Sequence, residues 1–257
     1  MPEFFLHDRA VIRLTPIDPD EDVGVFLQGL VTNDIQQGGA HYAAMLSPQG
    51  KVLFDFLVVQ ERVPVPDAQP PESGFVPSGA FLIDCEAAQA EALIRRLSMY
   101  RLRRRITINL DPDLAVWWDA ANVHDGGPDP RVGQLGYRGI TKFDPAAADG
   151  SAQFRKRRLE LGVCEGQAEL ADLLWLECNA AELNGVSFTK GCYVGQENTA
   201  RMNWRAKVGR RLVVVPLAAS NPKRQRAAYP ELGLAVDHLR VEDIKPEWLP
   251  RWLALEV

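Results

Sequence analysis

The most constraining feature of this sequence is the irregular order in which strand patterns and helix patterns follow one another. Short apolar runs typical of strands lie at residues 43–46, 51–60, 80–85, 106–110 and 115–118. Apolar residues at helical spacing occur at residues 86–100, 146–162 and 167–175. A parallel sheet needs a regular alternation of strand and helix, which this chain lacks. The sequence therefore predicts an α+β fold rather than a doubly wound sheet.

Two local signals mark where elements begin and end. Asp18 is followed by Pro19 and, three residues after the aspartate, by Glu21, which predicts a helix with Asp18 as its N-cap. Residues 61–79 carry five prolines and no apolar periodicity, and they predict an exposed loop.

The composition is that of an ordinary globular protein. The chain has 257 residues, of which 46% are hydrophobic and 25% are charged, so it can form one large domain or two unequal ones. It has no apolar run of the roughly 18 residues that cross a membrane, and its first residues do not resemble a secretory signal. Its four cysteines are too few for a disulfide framework. We expect a cytoplasmic protein without a membrane partner.

The charges are distributed unevenly. The formal net charge is −5, yet residues 190–226 contain nine lysines and arginines and one acid, Glu197. Such a basic segment suits an anionic ligand or a nucleic-acid surface. The alternative is a solvated face whose charges are paired with nearby carboxylates.

The densest cluster of reactive residues lies at residues 187–197. Gly191 and Gly195 frame Cys192, and Lys190 is close enough along the chain to favour a thiolate. Gln196, with the glutamate after it, can hydrogen-bond a heterocycle that has both donors and acceptors. The alternative for Cys192 is a small buried apolar residue.

Three segments resemble one known family. Residues 190–197, K-G-C-Y-V-G-Q-E, are similar to the K-G-C-Y-x-G-Q-E signature of the YgfZ folate-binding proteins, which are relatives of the glycine-cleavage T-protein, an aminomethyltransferase. Residues 26–34, F-L-Q-G-L-V-T-N-D, resemble the family's N-terminal helix and its T-N-D ending. Residues 46–55, L-S-P-Q-G-K-V-L-F-D, resemble the hairpin that brings an acidic residue to the folate pocket. The resemblance covers roughly residues 5–215.

The resemblance implies a particular architecture. It predicts a duplicated, folate-binding, T-protein-like α+β body over residues 1–205, made of two related halves around a central hole. A β-barrel module follows it in the family. Residues 206–257 are short for a complete barrel, so we expect a shortened C-terminal β-barrel-like module.

The resemblance also implies a function. It predicts binding of tetrahydrofolate, or of a one-carbon derivative, and a role in iron–sulfur cluster protein assembly or repair that indirectly supports tRNA modification. The expected partners are folate and iron–sulfur client or assembly proteins, with no direct nucleic-acid partner. One alternative is a folate-dependent aminomethyl transferase, although the signature argues against classical aminomethyltransferase activity. A second alternative is an RNA-binding module that uses the basic segment.

The resemblance places the chemistry on two residues. Cys192 matches the signature thiol, and we expect Lys190, Tyr193, Gln196 and Glu197 to bind the cofactor around it. Asp55 matches the hairpin carboxylate, which can accept hydrogen bonds from the pterin and serve as a base. The alternative for Asp55 is a strand-end residue bonded to backbone amides. Cys192 and Asp55 are expected to face one cleft.

Three further residues are candidates for binding folate. Arg201 and Arg205 could neutralise its glutamate tail through their bidentate guanidinium groups, or they could be ordinary surface charges. Phe154 lies where the family often has an aromatic residue that stacks on the pterin, and its alternative is a place in the core. We predict no metal site, because the evenly spaced Cys164, Cys178 and Cys192 lack a paired-cysteine motif.

Overall fold

The computed structural model describes residues 4–64, 75–121, 126–205 and 208–254. The strands are β1 (Phe4–Phe5), β2 (Arg9–Pro16), β3 (Ala40–Leu46), β4 (Val52–Pro64), β5 (Phe75–Glu86), β6 (Ile106–Leu110), β7 (Leu114–Asp119), β8 (Gly127–Pro128), β9 (Tyr137–Lys142), β10 (Ala148–Asp149), β11 (Arg210–Pro216), β12 (Gln225–Tyr229) and β13 (Leu234–Arg240). The α-helices are α1 (Val23–Gln28), α2 (Ala90–Arg101), α3 (Ser151–Glu160), α4 (Gln167–Leu170) and α5 (Gln196–Arg205). Short 3-10 helices lie at Ala87–Gln89, Gly133–Leu135, Trp175–Cys178, Leu217–Ala219, Pro230–Leu232, Val241–Asp243 and Pro246–Trp248. The predicted α+β class is confirmed.

The first sheet carries the predicted hairpin. Its strand order is β3-β4-β5-β2-β6, and every neighbouring pair is antiparallel. The turn at residues 47–50 joins β3 to β4, as the sequence predicts, and Ala44 stands opposite Asp55. On the other side of β4, Phe56 stands opposite Cys85. The end of β5 is therefore beside Asp55.

The second sheet has the order β10-β1-β7-β9-β8. Its pairs are antiparallel except for the short parallel pair of β1 and β10. One apolar cluster packs α1 and α2 onto the first sheet through residues such as Leu27 and Leu93. A larger cluster joins the second sheet, α3 and the middle of the chain, and includes Trp118, Phe154 and Trp175.

The C-terminal segment forms a three-stranded antiparallel sheet in the order β11-β13-β12. Over the described residues 208–254 it does not close into a barrel, so the predicted barrel-like module is not confirmed. Leu212 and Val236 of this sheet belong to the same apolar cluster as Trp175. The sheet is thus packed against the body, and the division at residue 205 stays a prediction.

The first helix begins later than predicted. Its N-cap is Asp22, whose carboxylate accepts a hydrogen bond from the Val25 amide at 3.0 Å, and not Asp18. Glu21 does not complete a capping box, because its carboxylate binds Arg104 Nη1 at 2.8 Å and the Arg105 amide at 2.9 Å. A contact distant in sequence has overridden the local signal.

The predicted loop at residues 61–79 is partly wrong. Strand β4 continues to Pro64 and β5 begins at Phe75, and Arg62 stands opposite Pro77 in their ladder. These strand ends are exposed on both faces, so they lack the apolar alternation that reveals a strand in the sequence. The part of the prediction at residues 65–74 lies outside the described residues.

Candidate functional site

The structure brings the three resembling segments together. The hairpin turn at residues 47–50 lies against the start of α5, where Asn198 Nδ2 donates to the Gln49 carbonyl at 2.6 Å. The T-N-D segment contacts the signature on its other side, through Lys190. The signature is therefore held between the two other motifs.

Gly195 is required for this contact. Its φ of +84° is unfavourable for other residues, and a Cβ there would lie 2.5 Å from the Ser47 carbonyl oxygen. Gly50 in the turn has a φ of +77°, and a Cβ there would lie 3.3 Å from the Gly195 carbonyl oxygen. The two glycines let the backbones of the signature and the turn touch.

Lys190 fastens the signature to the T-N-D segment. Its Nζ donates to the carbonyls of Val31 at 2.6 Å and Asn33 at 2.8 Å, and it lies 5.2 Å from the centre of the Tyr193 ring. Burial lowers the pKa of Lys190 to about 8, against the opposing charge of Asp34. The sequence predicted a cofactor-binding lysine, whereas the structure directs its ammonium group to main-chain oxygens.

The T-N-D segment is itself well anchored. Thr32 Oγ1 donates to the Gly185 carbonyl at 2.7 Å and accepts from the Ala44 amide at 2.9 Å. Asn33 Nδ2 donates to the Tyr42 carbonyl at 2.9 Å and to the Asn184 carbonyl at 2.7 Å. One hydrogen-bonded framework thus joins the T-N-D segment to strand β3 and to residues 184–185, which precede the signature.

Cys192 is exposed, while Cys85, Cys164 and Cys178 are buried. The alternative interpretation of Cys192, as a small buried apolar residue, is therefore wrong. Burial raises the pKa of the Cys85 thiol to about 12, and it raises those of Cys164 and Cys178 well above their usual value. Cys192 is thus the accessible thiol of this chain.

The other signature residues divide into buried and exposed ones. Tyr193 is buried beneath Lys190, and burial raises its pKa to about 12. Gln196 is half-buried at the start of α5. Glu197 is exposed and pairs with Arg201 one helical turn later, at 2.6 Å.

Arg201 and Arg205 are the arginines predicted to bind the glutamate tail of folate, and the structure describes the side chain of Arg201. The guanidinium of Arg201 is already paired with Glu197, at an exposed position where such a pair is weak. This arrangement matches the surface-charge alternative for Arg201. The side chain of Arg205 lies outside the described residues.

Asp55 is the buried carboxylate of the hairpin, with 7% of its surface exposed. It accepts hydrogen bonds from the Tyr42 hydroxyl at 3.3 Å and from the Gly166 amide at 3.2 Å. Burial, followed by the charge of Glu165, raises the pKa of Asp55 to about 6, against the opposing effect of Arg9. Asp55 can therefore gain or lose a proton near neutral pH.

A small cleft lies beside Asp55. Its lining residues are Phe54, Asp55, Cys85, Glu86, Gln89 and Gln167. Glu86 Oε2 accepts from the Gln167 amide at 2.9 Å, so both carboxylates of the cleft bind backbone amides of one loop. Cys192 is not among the lining residues, which contradicts the expectation that it shares this cleft with Asp55.

Sequence reasoning missed a buried ionic network behind the cleft. Its members are Arg9, Asp84, Asp129, Arg131, Arg138 and Glu165. Asp84 binds Arg9 at 2.7 Å and Arg138 at 2.6 Å, and Glu165 binds Arg9 at 3.1 Å and also Arg131. Together the arginines hold the pKa of Glu165 well below its usual value. One sequence feature does point to this network, because an acid such as Asp84 within the apolar run at residues 80–85 needs a buried partner.

Phe154 lies in the core and not at the cleft. It is 3% exposed, its ring centre is 5.5 Å from that of Trp118, and Arg138 and Arg131 lie over it at 5.0 and 5.9 Å. Its face is occupied by protein cations, so it has no free surface on which a pterin could stack. The core alternative for Phe154 is the correct one.

Much of the basic segment is used within the protein. Lys190 is buried, Arg211 pairs with Glu182 at 2.7 Å, and Arg226 donates to main-chain carbonyls. These contacts do not favour the RNA-binding alternative. Among the residues described, no group of three or more His, Cys, Asp or Glu side chains is arranged to hold a metal ion.

Comparison with known proteins identifies the family. The chain is 33% identical over 254 residues to the mitochondrial iron-sulfur cluster assembly factor IBA57 of Mus musculus, and the match covers 85% of this chain and 67% of that protein. The chain belongs to the IBA57 family. It is 31% identical to the Homo sapiens protein, over 82% of this chain and 65% of that one. For the Pyricularia oryzae homologue the identity is 32%, over 88% and 60%.

The structural comparison agrees at the level of the fold. The chain is similar to the glycine cleavage system aminomethyltransferase T of Bartonella henselae, with a TM-score of 0.60 over 93% of this chain and 78% of that chain. The sequence identity is 11%, so this likeness concerns the fold alone. No protein-family model matches the chain.

The IBA57 comparison corrects one prediction. The expected cytoplasmic location is wrong, because the named relatives are mitochondrial proteins. The chain spans about two thirds of the length of the mammalian relatives and 60% of the fungal one. Within the described residues, the helices are too short or too polar to cross a membrane.

Proposed function

We propose that this protein is an iron–sulfur cluster assembly factor that binds a reduced folate and presents Cys192 to its partner proteins. The observation that carries the proposal is the single exposed thiol in a signature loop, in a chain that is 33% identical to a protein named as an iron-sulfur cluster assembly factor. Its downstream effect on tRNA modification follows from the YgfZ resemblance and belongs to the same proposal.

The cleft residues fit the ring system of a folate. Asp55 and Glu86 can accept hydrogen bonds from ring N–H groups, while Gln89 and Gln167 offer both donors and acceptors. Phe54 supplies an apolar wall. The cleft as it stands holds little more than a water molecule, so binding a ring requires its side chains to move.

The thiol and the cleft have separate tasks in this proposal. Cys192 lies outside the lining of the Asp55 cleft, so the cleft binds folate while the thiol contacts a cluster or its carrier. One exposed thiol cannot complete the ligand set of a cluster, and the remaining ligands come from iron–sulfur assembly or client proteins. We further propose that the two five-stranded sheets are the related halves of the folate-binding body.

The proposal is tested by complementation of a deletion strain, with the activities of iron–sulfur enzymes as the readout. The wild-type chain should restore them, and Cys192→Ala should not. Thr189→Ala is a matched control, because Thr189 is exposed in the same loop. Full restoration by Cys192→Ala would remove the role of the thiol. Formation of methylene-tetrahydrofolate from an amine would instead favour the transferase alternative.

A further inference from the structure

The loop that leads from α3 into the first residue of α4 shapes the Asp55 cleft. Its Gly166 amide donates to Asp55 Oδ1 at 3.2 Å, and its Gln167 amide donates to Glu86 Oε2 at 2.9 Å. Gln167 also lines the cleft. The position of this loop, residues 164–167, therefore sets how the two carboxylates are presented to a ligand.

Glu169 holds the loop from behind. Its carboxylate is fully buried and accepts a hydrogen bond from the Glu165 amide at 2.9 Å. Arg158 binds both carboxylate oxygens, with Nη1 at 3.0 Å from Oε2 and Nη2 at 2.7 Å from Oε1. A buried carboxylate needs such partners, so its orientation is fixed by the groups that donate to it.

Two of the groups that bind this region come from the C-terminal sheet. Tyr229 on β12 donates its hydroxyl to Glu169 Oε1. Arg226 on the same strand donates through Nε to the Glu169 carbonyl at 3.2 Å and through Nη2 to the Ala171 carbonyl at 2.6 Å. Strand β12 thus contacts α4 and its end in two ways. It binds the side chain of Glu169, and it binds the main-chain oxygens of Glu169 and Ala171.

We propose that Tyr229 and Arg226 are positioning residues, through which the C-terminal sheet holds the loop at residues 164–167 and so sets the ligand-binding shape of the Asp55 cleft. The proposal rests on the proposed folate site for its functional consequence. It gives the C-terminal sheet a task at the cleft, although none of its residues is among those that line it.

The chain of contacts indicates what happens when one donor is lost. Without the Tyr229 hydroxyl, Glu169 Oε1 loses one of its donors, so the carboxylate that accepts from the Glu165 amide is held less firmly. The Gly166 amide next to it then binds Asp55 less firmly, which disfavours the ionised carboxylate. The pKa of Asp55 should therefore rise above its value of about 6 in the variant.

The first experiment measures hydrogen exchange of the amides at residues 165–167 in the full chain. In Tyr229→Phe these amides should exchange about fivefold faster, which corresponds to the loss of one hydrogen bond. Tyr100→Phe, on α2, is the matched control and should leave them unchanged. Unchanged exchange in Tyr229→Phe would overturn the proposal, whether or not the chain binds folate.

The second experiment titrates tetrahydrofolate into both variants between pH 5 and 8. We expect about fivefold weaker binding by Tyr229→Phe and an upward shift of the pH midpoint, which a general loss of stability would not cause. The charged and titratable groups that face Asp55 are kept in both variants, and they are Tyr42, Cys85, Glu86, Glu165, Cys178, Arg9 and Arg131. Equal affinity and an equal midpoint would overturn the proposal.

The two proposals can fail separately. If the wild-type chain does not bind tetrahydrofolate, the folate site is wrong, and the exchange experiment alone judges the positioning role. If Tyr229→Phe does not fold, Arg226→Gln carries both measurements, because its two carbonyl partners belong to α4 and to the residue that caps its end. Faster exchange with unchanged tetrahydrofolate binding would leave β12 a purely structural support and reject its role at the cleft.

Discussion

Lys190 and Asp55 are connected through two intervening residues. The Lys190 ammonium group donates to the Asn33 carbonyl at 2.8 Å, the Asn33 side chain donates to the Tyr42 carbonyl at 2.9 Å, and the Tyr42 hydroxyl donates to Asp55 at 3.3 Å. The signature loop and the cleft carboxylate are thus parts of one hydrogen-bonded framework, although Cys192 itself does not line the cleft.

Asp55 should make the stability of the protein depend on pH. Its pKa is about 6 in the folded chain and near 4 when unfolded, so between these values the folded state binds more protons and stability falls as pH rises. Asp55→Asn removes this cost. The free energy of unfolding of the variant, relative to that of the wild type, should therefore increase by up to about 3 kcal/mol as the pH is raised from 4 to 8. Denaturant unfolding of both proteins at pH 4 and at pH 8 measures this increase, and the same difference between the two proteins at both pH values would contradict it.

Gly195→Ala should weaken the contact between the signature and the hairpin turn. The positive φ and the approach of 2.5 Å to the Ser47 carbonyl oxygen should together cost about 2–4 kcal/mol in the free energy of unfolding. Gly191→Ala is the matched control, because a Cβ at Gly191 meets nothing within 4 Å. Urea unfolding of both variants measures the difference. Similar stabilities would show that the backbones do not touch there.

Lys190→Met should destabilise the fold by about 1–3 kcal/mol. The methionine keeps an apolar stem over Tyr193 but leaves the carbonyls of Val31 and Asn33 without their donor. Lys223→Met, at an exposed position, is the control and should change the unfolding free energy by less than about 0.5 kcal/mol. A loss of ligand affinity with unchanged stability would instead support the cofactor-binding role predicted from the sequence.

Thiol labelling should distinguish Cys192 from the other three cysteines. In the folded protein one thiol per chain should react rapidly with a maleimide or an aromatic disulfide, and all four should react after unfolding. Cys192→Ala should abolish the rapid phase. More than one rapidly reacting thiol in the native wild type would contradict the burial of Cys85, Cys164 and Cys178.

The sequence revealed those features that depend on local pattern. The hairpin turn at residues 47–50 and the strands before and after it follow from apolar alternation and turn residues, and the structure confirms them. The three resembling segments also meet as motifs of one site should. Contacts between distant residues could not be predicted. The sequence predicts a capping role for Glu21, because nothing in it places Arg104 beside that residue.

The predictions for the site residues fail for the same physical reason, which is that contacts between distant parts of the chain place these side chains. A lysine two residues from a cysteine suggests an activated thiol, yet Lys190 turns to carbonyls more than 150 residues away in sequence. Phe154 sits at the expected place in the sequence but beneath two arginines, whose positions depend on tertiary packing. Asp55 is a candidate because residues 46–55 resemble the hairpin of a known family, and a hairpin is a local structure that the sequence predicts. Glu169 and Tyr229 lie 60 residues apart in the sequence, so no local pattern indicates their contact.

A calorimetric titration of tetrahydrofolate into the wild type, Asp55→Asn and Cys192→Ala decides whether the cleft beside Asp55 is a folate site separate from the thiol. We expect binding by the wild type, at least about tenfold weaker binding by Asp55→Asn because a cleft acceptor of ring N–H groups is lost, and unchanged binding by Cys192→Ala. No binding by the wild type, or equal binding by Asp55→Asn, would contradict it.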